Sequence, residues 1–288
     1  IPENLELKTK LFQKLEGLVD KKTIITTNTS GLSLEALSNQ MSPKFQFAAM
    51  HFHLGSRLVD IVKGTHTNEE TIKSIKNFIK TLGCHGIEFK NRNSSYALNP
   101  MLGALTAQSM LMVIEGKYSI DEIDGAWKAI NNNNIGPFGI MDMLGLDIIN
   151  NAWQEQDKES RLIEYKDKIL KFLSPYINRN YLGIKSGKGF LSYPSIDIGH
   201  KKNNYEIIQK DLYIGIIEAA LLLLADNILD KNDINKVWTI GTSLKKGPID
   251  ILDNMGKENF KKQYKNWVNK EYISPRSSEI ILRLIDTI

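Results

Sequence analysis

Cysteine is almost absent from this chain, and the single thiol, Cys84, excludes an intramolecular disulfide framework. The lack of disulfides is typical of a reducing compartment, and the first ten residues are too polar for a secretory signal peptide. We therefore predict a cytoplasmic protein. His85 follows Cys84, but adjacent residues of a strand point to opposite faces, so we interpret Cys84 as a packed thiol and not as a nucleophile.

Long apolar runs and a strong excess of one charge are also lacking. The most apolar segment, residues 219–225, is bounded by Glu218 and Asp226, which predicts a buried helix and not a membrane span. The formal net charge of +4 suits an anionic ligand but is too weak to indicate nucleic-acid binding. We expect neither a membrane nor a nucleic acid among the partners.

The hydrophobic pattern divides the chain into two parts. Four leucines between residues 7 and 18 recur at helical spacing. The segments TIITTNTS, FQFAAMHF, RLVDIVKG and HGIEFK predict strands, and residues 68–81 predict a helix. Strands that alternate with helices favour an α/β fold with a parallel sheet. Apolar stretches with helical period dominate afterwards, so we place a domain boundary near residues 91–95.

The helical part contains an internal repeat. The segment SIDEIDGAWKAINNNNIGPFGIMDMLG, starting at Ser119, aligns without gaps with DKNDINKVWTIGTSLKKGPIDILDNMG, starting at Asp230. Both first residues can cap a helix, and both copies carry Gly-Pro, which places proline at the start of the next helix. The matched Trp127 and Trp238 are expected to pack in the core. The repeat therefore predicts two helical units that bury apolar faces on each other or on a partner chain.

These motifs, taken in order, resemble one family. The repeated helix–loop–Gly-Pro–helix unit resembles the C-terminal domain of 3-hydroxyacyl-CoA dehydrogenases, and GIKSGKGFLSYP resembles the glycine-rich segment after its first unit. IPENLELKTKLF, TTNTSGLSL and the His51-Phe52 pair resemble the second half of the family's Rossmann domain. The resemblance implies a partial α/β Rossmann domain over residues 1–92 and an all-α domain of two repeated units, residues 93–195 and 196–288.

The resemblance also implies a function, the NAD-dependent oxidation of L-3-hydroxyacyl-CoA to 3-oxoacyl-CoA. His51 matches the general base, a role that suits histidine because it titrates near neutral pH. Ser30 matches a serine near the substrate hydroxyl and the nicotinamide, and Asn99 matches an asparagine that helps to bind the reacting oxygen. Glu3 and Lys8 match positions that contact NAD.

The chain departs from the family around the base. Asp60 lies where the family has a glutamate that orients the histidine, but its spacing from His51 is shorter and its side chain lacks one methylene. The Asn-Pro that usually follows the histidine is replaced by HLGSR over residues 53–57, and the residues flanking Asn99 also differ. A misplacement of about 1 Å can reduce a rate by about 10²-fold, so these departures predict a weakened pair.

A G-x-G-x-x-G turn, which holds the pyrophosphate in dinucleotide folds, does not occur in this sequence. The GIKSGKG stretch has the wrong spacing and predicts a structural turn. Either the preceding portion lies outside this sequence or the chain lacks the usual NAD site. Two alternative functions therefore stay open: a catalytically inactive helical assembly or acyl-CoA-binding module, and a dehydrogenase of another 3-hydroxy acid.

Two further expectations concern metal and assembly. His51 and His53 share one face of the predicted strand, as metal ligands do, but no third ligand stands at a matching spacing, so we predict no metal site. Because a second helical unit in the same chain can replace a partner's domain, we predict a tendency towards monomer.

Overall fold

The structure is a computed structural model that describes residues 1–42, 44–53, 55–90, 96–156, 162–194, 204–270 and 275–288. The described chain forms two compact units: Ile1–Pro100 with Leu223–Gly247, and Met101–Leu222 with Pro248–Ile288. The predicted boundary near residues 91–95 lies outside the described residues.

The first unit contains a four-stranded sheet. Its strands, adjacent in chain order, are β1 (Ile24–Thr27), β2 (Gln46–Phe52), β3 (Leu58–Lys63) and β4 (His85–Glu88). Each strand lies in a segment that the sequence predicted. β1 pairs parallel with β2 and β3 pairs parallel with β4, but β2 and β3 are antiparallel. The expectation of a parallel sheet is wrong for this pair, because the link over residues 53–57 is shorter than the dozen or so residues that a parallel crossover needs.

The helices, in chain order, are α1 (Leu5–Glu16), α2 (Leu34–Ser38), α3 (Glu69–Thr81), α4 (Leu98–Ile114), α5 (Ile120–Asn131), α6 (Pro137–Leu144), α7 (Leu146–Gln154), α8 (Lys166–Asn178), α9 (Tyr205–Ala225), α10 (Lys231–Thr242), α11 (Pro248–Met255), α12 (Lys257–Asn269) and α13 (Ser278–Thr287). No strand follows β4 in the described residues, which agrees with the predicted change to helical structure.

The first helix, α1, confirms the predicted helix but not the face that its leucines indicated. The buried residues of α1 are Lys8 and Phe12, and the Phe12 ring packs edge-on against Phe47 of β2 with centroids 5.1 Å apart. Three of the leucines that predicted the helix are exposed: Leu7, Leu11 and Leu18. Periodicity identifies a helix, whereas the neighbouring sheet decides which face is buried.

The core of the first unit lies between α3 and the sheet. Ile72, Ile75 and Ile79 of α3 are buried against β2 and β3, where Val59 and Ile61 are completely buried. Burying each isoleucine stabilises the fold by about 1.5–3 kcal/mol. Asp60, between them on β3, is also completely buried, but its side chain lies on the opposite face of the sheet.

The repeat is visible in the helix bounds. The helices α5, α6 and α7 begin 111 residues before α10, α11 and α12, which is the offset of the sequence repeat. Ser119 and Asp230 cap α5 and α10 through their side chains. Trp127 is 1% exposed and Trp238 is 0% exposed, which confirms that both pack in a core. That the two copies form matching domains stays a prediction.

The glycine-rich stretch over residues 183–189 is a structural turn, as predicted. The Asp142 carboxylate accepts hydrogen bonds from the backbone N–H groups of Phe190 and Leu191, each at 2.9 Å. At Gly183, where φ is +94°, a Cβ would lie 2.1 Å from the carbonyl oxygen of Asp142. Glycine is therefore required for the turn to approach this close.

The most apolar predicted segment, residues 219–225, lies in the long helix α9 and its Leu221 is completely buried. Glu218, one residue before it, is also buried and accepts hydrogen bonds from the hydroxyls of Tyr264 (3.0 Å) and Ser277 (2.7 Å). These contacts confirm the predicted buried helix. Among the described residues, no helix combines the length and hydrophobicity that a membrane crossing requires.

Candidate active site

The carboxyl ends of β1 and β2 meet at one edge of the sheet because the two strands are parallel. Asn28, directly after β1, accepts a hydrogen bond through Oδ1 from the backbone N–H of Phe52 at 2.8 Å. This bond connects the loop after β1 to the end of β2, where His51 lies. Open α/β sheets bind their ligands at this edge, so it is the place to look for a site.

His51 and Asp60 are direct neighbours across the antiparallel β2–β3 pair. Their side chains therefore share one face of the sheet, with Cβ atoms of such pairs about 4.5–5.5 Å apart. The His51 Nδ1 lies 3.3 Å from Asp60 Oδ2, and the Asp60 side chain is completely buried. The short link between the strands thus brings the two residues together despite the shorter spacing and the shorter side chain.

A second histidine contacts the same carboxylate. His53 Nε2 lies 2.6 Å from Asp60 Oδ2, and the rings of His51 and His53 meet edge to face with centroids 4.5 Å apart. The expectation that no third ligand accompanies this histidine pair is wrong, because the β2–β3 pairing places Asp60 beside both rings. Pairing RLVDIV with FAAMHF as a hairpin would have revealed this contact from the sequence.

Tyr96 is a neighbour of His51 that the sequence analysis missed. The two rings stack with centroids 4.2 Å apart and planes 13° apart, and the Tyr96 hydroxyl donates a hydrogen bond to the carbonyl oxygen of Thr29. Burial, and then the nearby charges of Asp60 and Glu3, raise the pKa of Tyr96 well above its ordinary value. Tyr96 therefore stays a neutral donor and connects His51 to the loop after β1.

Glu3 also binds the loop after β1, which contains Thr29 and Ser30. Its carboxylate accepts hydrogen bonds from the Thr29 hydroxyl and from the backbone N–H groups of Ser30 (2.9 Å) and Gly31 (3.0 Å), and it forms an ion pair with Lys8. Burial raises the pKa of this carboxyl, but the four donors outweigh burial and lower the pKa to about 2. The three positions predicted to contact NAD, Glu3, Lys8 and Ser30, are thus together, and the Ser30 side chain is exposed.

Asn99 lies apart from this network. It is exposed in the first turn of α4, three residues after Tyr96. In the described part of the chain, no hydrogen bond joins its side chain to His51 or Ser30. Among the predicted site residues, the structure therefore brings Glu3, Lys8, Ser30, His51 and Asp60 into one connected network and leaves Asn99 at its margin.

Two family models match the chain. One is the 3-hydroxyacyl-CoA dehydrogenase NAD binding domain, over residues 1–92, and the other is the 3-hydroxyacyl-CoA dehydrogenase C-terminal domain, over residues 96–193. The two matches follow each other along the chain and together cover most of it.

Curated relatives and solved structures agree with these matches. The mitochondrial hydroxyacyl-coenzyme A dehydrogenase of Sus scrofa is 31% identical over 199 residues, which are 67% of this chain and 62% of that protein. A probable 3-hydroxybutyryl-CoA dehydrogenase of Bacillus subtilis is 28% identical over 67% of each chain. The crystal structure of 3-hydroxybutyryl-CoA dehydrogenase from Escherichia coli has a TM-score of 0.77 over 99% of this chain and 80% of that one. At 16% identity, that likeness concerns the fold. The chain spans 62% of the length of its porcine relative.

Proposed function

The chain belongs to the 3-hydroxyacyl-CoA dehydrogenase family, and we therefore propose that it takes part in the NAD-dependent oxidation of L-3-hydroxyacyl-CoA to 3-oxoacyl-CoA. The observation that carries the proposal is the buried contact between His51 Nδ1 and the Asp60 carboxylate at the edge of the sheet where ligands bind. An acyl-CoA ester is the proposed substrate, and the +4 net charge of the chain is compatible with this anionic ligand.

His51 is the proposed general base. Oxidation of a secondary alcohol requires removal of the hydroxyl proton as hydride leaves the carbon, and the His51 Nε2 atom accepts that proton. Asp60 accepts a hydrogen bond from Nδ1–H, which selects the tautomer with a free Nε2 and stabilises the imidazolium. Tyr96 restricts the tilt of the ring through the stack. Ser30 and Asn99 are proposed to donate hydrogen bonds to the substrate oxygen that strengthen as charge develops.

NAD supplies the hydride acceptor when it is bound. The residues of this chain proposed to hold it are Glu3, Lys8 and Ser30, at the carboxyl end of β1. They fit one part of the dinucleotide, because the Ser30 side chain is exposed on a loop that Glu3 fixes through two backbone N–H groups. The pyrophosphate-binding G-x-G-x-x-G turn is absent from the sequence in hand. The reading frame upstream of Ile1 is therefore the first thing to determine.

A second candidate function is an acyl-CoA-binding module without catalysis. The position of Asn99 favours it, since the residue proposed to help bind the reacting oxygen is exposed in the first turn of α4 and lies apart from the His51 network. A dehydrogenase acting on another 3-hydroxy acid would use the same proposed base. A panel of 3-hydroxy acids and their CoA esters distinguishes that case from the leading proposal.

We also propose that the helical repeat forms two matching units and that the chain is a monomer. The two copies share a close contact between a glycine and a side chain, which supports the match. A Cβ added to Gly136 would lie 2.3 Å from Asp124 Cγ, and one added to Gly247 would lie 2.2 Å from Asn235 Oδ1. Each copy thus brings a side chain of its first helix against the glycine before its proline. Light scattering at dilute concentration tests the oligomeric state, and a persistent dimer would contradict the proposal.

The test of the activity measures NADH formation from 3-hydroxybutyryl-CoA by this chain and by any longer chain that the same reading frame encodes. The substitution His51→Ala should lower kcat/KM by about 10²–10⁴-fold, the usual contribution of a general base. His66→Ala, the same change at an exposed histidine, is the matched control and should retain the activity. Undiminished turnover by the His51 variant would refute its role. Tight acyl-CoA binding without NADH formation in every form would favour the non-catalytic module.

A further inference from the structure

His53 has no part in the proposed proton transfer, yet it makes the shorter of the two contacts with Asp60. The distance from Asp60 Oδ2 is 2.6 Å to His53 Nε2 and 3.3 Å to His51 Nδ1. Each of the three residues has one atom that could bind a metal ion, and these atoms all lie within 4.8 Å of one another. Two imidazoles and one carboxylate therefore converge on one point beside the end of β2.

The cluster is sheltered from water. The side chains of His51 and His53 are 9% and 8% exposed, and that of Asp60 is 0% exposed. Asp60 Oδ1 is buried and has no hydrogen-bond partner among the described residues. A buried carboxylate with an unpartnered oxygen is costly, and a cation bound to this carboxylate would offset part of that cost.

We propose that His51, His53 and Asp60 form a binding site for a divalent transition metal ion of the zinc type. Neutral imidazole and carboxylate are both ligands that zinc prefers, and three protein ligands leave a fourth position for water. Bonds of about 2.0–2.2 Å place tetrahedral ligand atoms about 3.4 Å apart. The His51–Asp60 distance of 3.3 Å already fits that value, whereas the His53–Asp60 contact of 2.6 Å must lengthen. The site therefore forms through a small movement of the His53 side chain.

Two features of the fold hold the ligands near this geometry. The β2–β3 register places His51 directly opposite Asp60, and both strands belong to the core sheet. Tyr96 stacks on the His51 ring and fixes its plane. Ligands that lie on packed strands lose little conformational freedom when the ion binds, which favours affinity.

Metal binding has a consequence that rests on the proposed function. A metal ion at Nδ1 displaces the proton there, so the remaining ring proton lies on Nε2. His51 with a proton on Nε2 cannot accept the proton of the substrate hydroxyl. The ion is thus a reversible inhibitor of the proposed dehydrogenase. One of its ligands, His53, has no role in the proposed reaction, so His53 can be replaced without removing the base.

The experiment titrates the chain with Co²⁺, which absorbs visible light only weakly when its ligands are octahedral and gives much more intense bands when they are tetrahedral. The wild-type protein should bind one Co²⁺ per chain with these bands, and Zn²⁺ should displace it. His53→Phe and His53→Gln should each weaken binding more than tenfold. His66→Phe, at an exposed histidine, and Cys84→Ser are the controls and should bind as the wild type does.

Binding by both His53 variants as tight as that of the His66 control would overturn the metal site. A wild-type protein without tetrahedral bands would do so as well. Thermal unfolding of each apo variant shows that loss of binding is not loss of folding. Zn²⁺ inhibition of NADH formation, relative to the metal-free rate of the same variant, is measured separately. Failure of turnover in all forms contradicts the proposed function, whereas the Co²⁺ titration still decides the metal site.

Discussion

The carboxylate of Asp124 caps the start of α6, where Oδ1 accepts a hydrogen bond from the backbone N–H of Phe138 at 2.8 Å. Oδ2 accepts a second bond from the N–H of Gly139 at 3.0 Å. Burial raises the pKa of Asp124 to about 6, and these hydrogen bonds only partly offset it. The helix cap of the first repeat copy therefore contains a carboxyl group that titrates near neutral pH.

The first prediction concerns the pH dependence of stability. Because the folded pKa of Asp124, about 6, exceeds the unfolded value of about 3.9, the folded state binds the proton more tightly. Stability should therefore rise as the pH falls through 6 towards 4, by an amount on the order of 1–3 kcal/mol. Asp124→Asn, which introduces the residue found at position 235, should remove this component.

Urea unfolding of the wild type and the variant at several pH values between 7 and 4 measures that component. Asp121→Asn, at an exposed position of α5, the helix that also contains Asp124, is the control for the loss of one negative charge. If the free energies of unfolding of the wild type and Asp124→Asn differ by the same amount at every pH, the assigned titration is wrong.

The second prediction concerns Tyr96, which stacks on His51 and bonds to Thr29. Tyr96→Leu removes the ring and should lower the kcat/KM of the proposed dehydrogenase more than tenfold, because the base loses its fixed orientation. Tyr96→Phe keeps the ring but leaves the buried Thr29 carbonyl without this donor. It should cost about 1–3 kcal/mol of unfolding free energy with a smaller loss of activity. Equal activities of the two variants would show that the stack does not orient His51.

The third prediction concerns Glu3, whose pKa is lowered to about 2. Since the unfolded value is about 4.3, Glu3 contributes stability above that pH and loses it as the pH falls towards 2. The effect is smaller than the shift implies, because the side chain is 39% exposed and solvent screens it. Glu3→Gln should flatten the acid side of the thermal stability profile.

The same substitution should also weaken NAD binding, because the loop at Ser30 exchanges a charged acceptor for the weaker acceptor of a neutral amide. Isothermal titration of NAD into the form of the protein that binds it measures this effect. Glu6→Gln, which removes an exposed partner of Lys10, is the control and should change neither quantity to the same extent. A Glu3 variant with an unchanged acid profile would contradict the assignment.

The fourth prediction concerns the glycine-rich turn. Gly183→Ala places a Cβ against the Asp142 backbone and demands a positive φ, so it should destabilise the fold by about 2–4 kcal/mol. Gly103→Ala in α4 meets no atom within 4 Å and should be neutral or stabilising by up to about 1 kcal/mol. Chemical denaturation compares the two variants. Similar stabilities would mean that the turn tolerates a side chain.

The individual strands, helices and turns could be predicted from the sequence, because each depends on residues that are close together in the chain. The β-branched runs predicted β1 to β4, and the 111-residue repeat predicted where α5 and α10 begin. The GIKSGKG stretch predicted a turn over residues 183–189. The ordered motifs, and not any single one, indicated the family that the comparisons identify.

Tertiary structure alone decided which of these residues meet. The alternation of apolar and polar residues predicts a strand but not its direction. The sequence therefore did not predict that β2 and β3 are antiparallel, or that Asp60 contacts both His51 and His53. Tyr96 was also missed, because its partner His51 is far away in the chain. Register, strand order and burial are properties of the packed sheet, and in this protein they bring His51, Asp60 and His53 together.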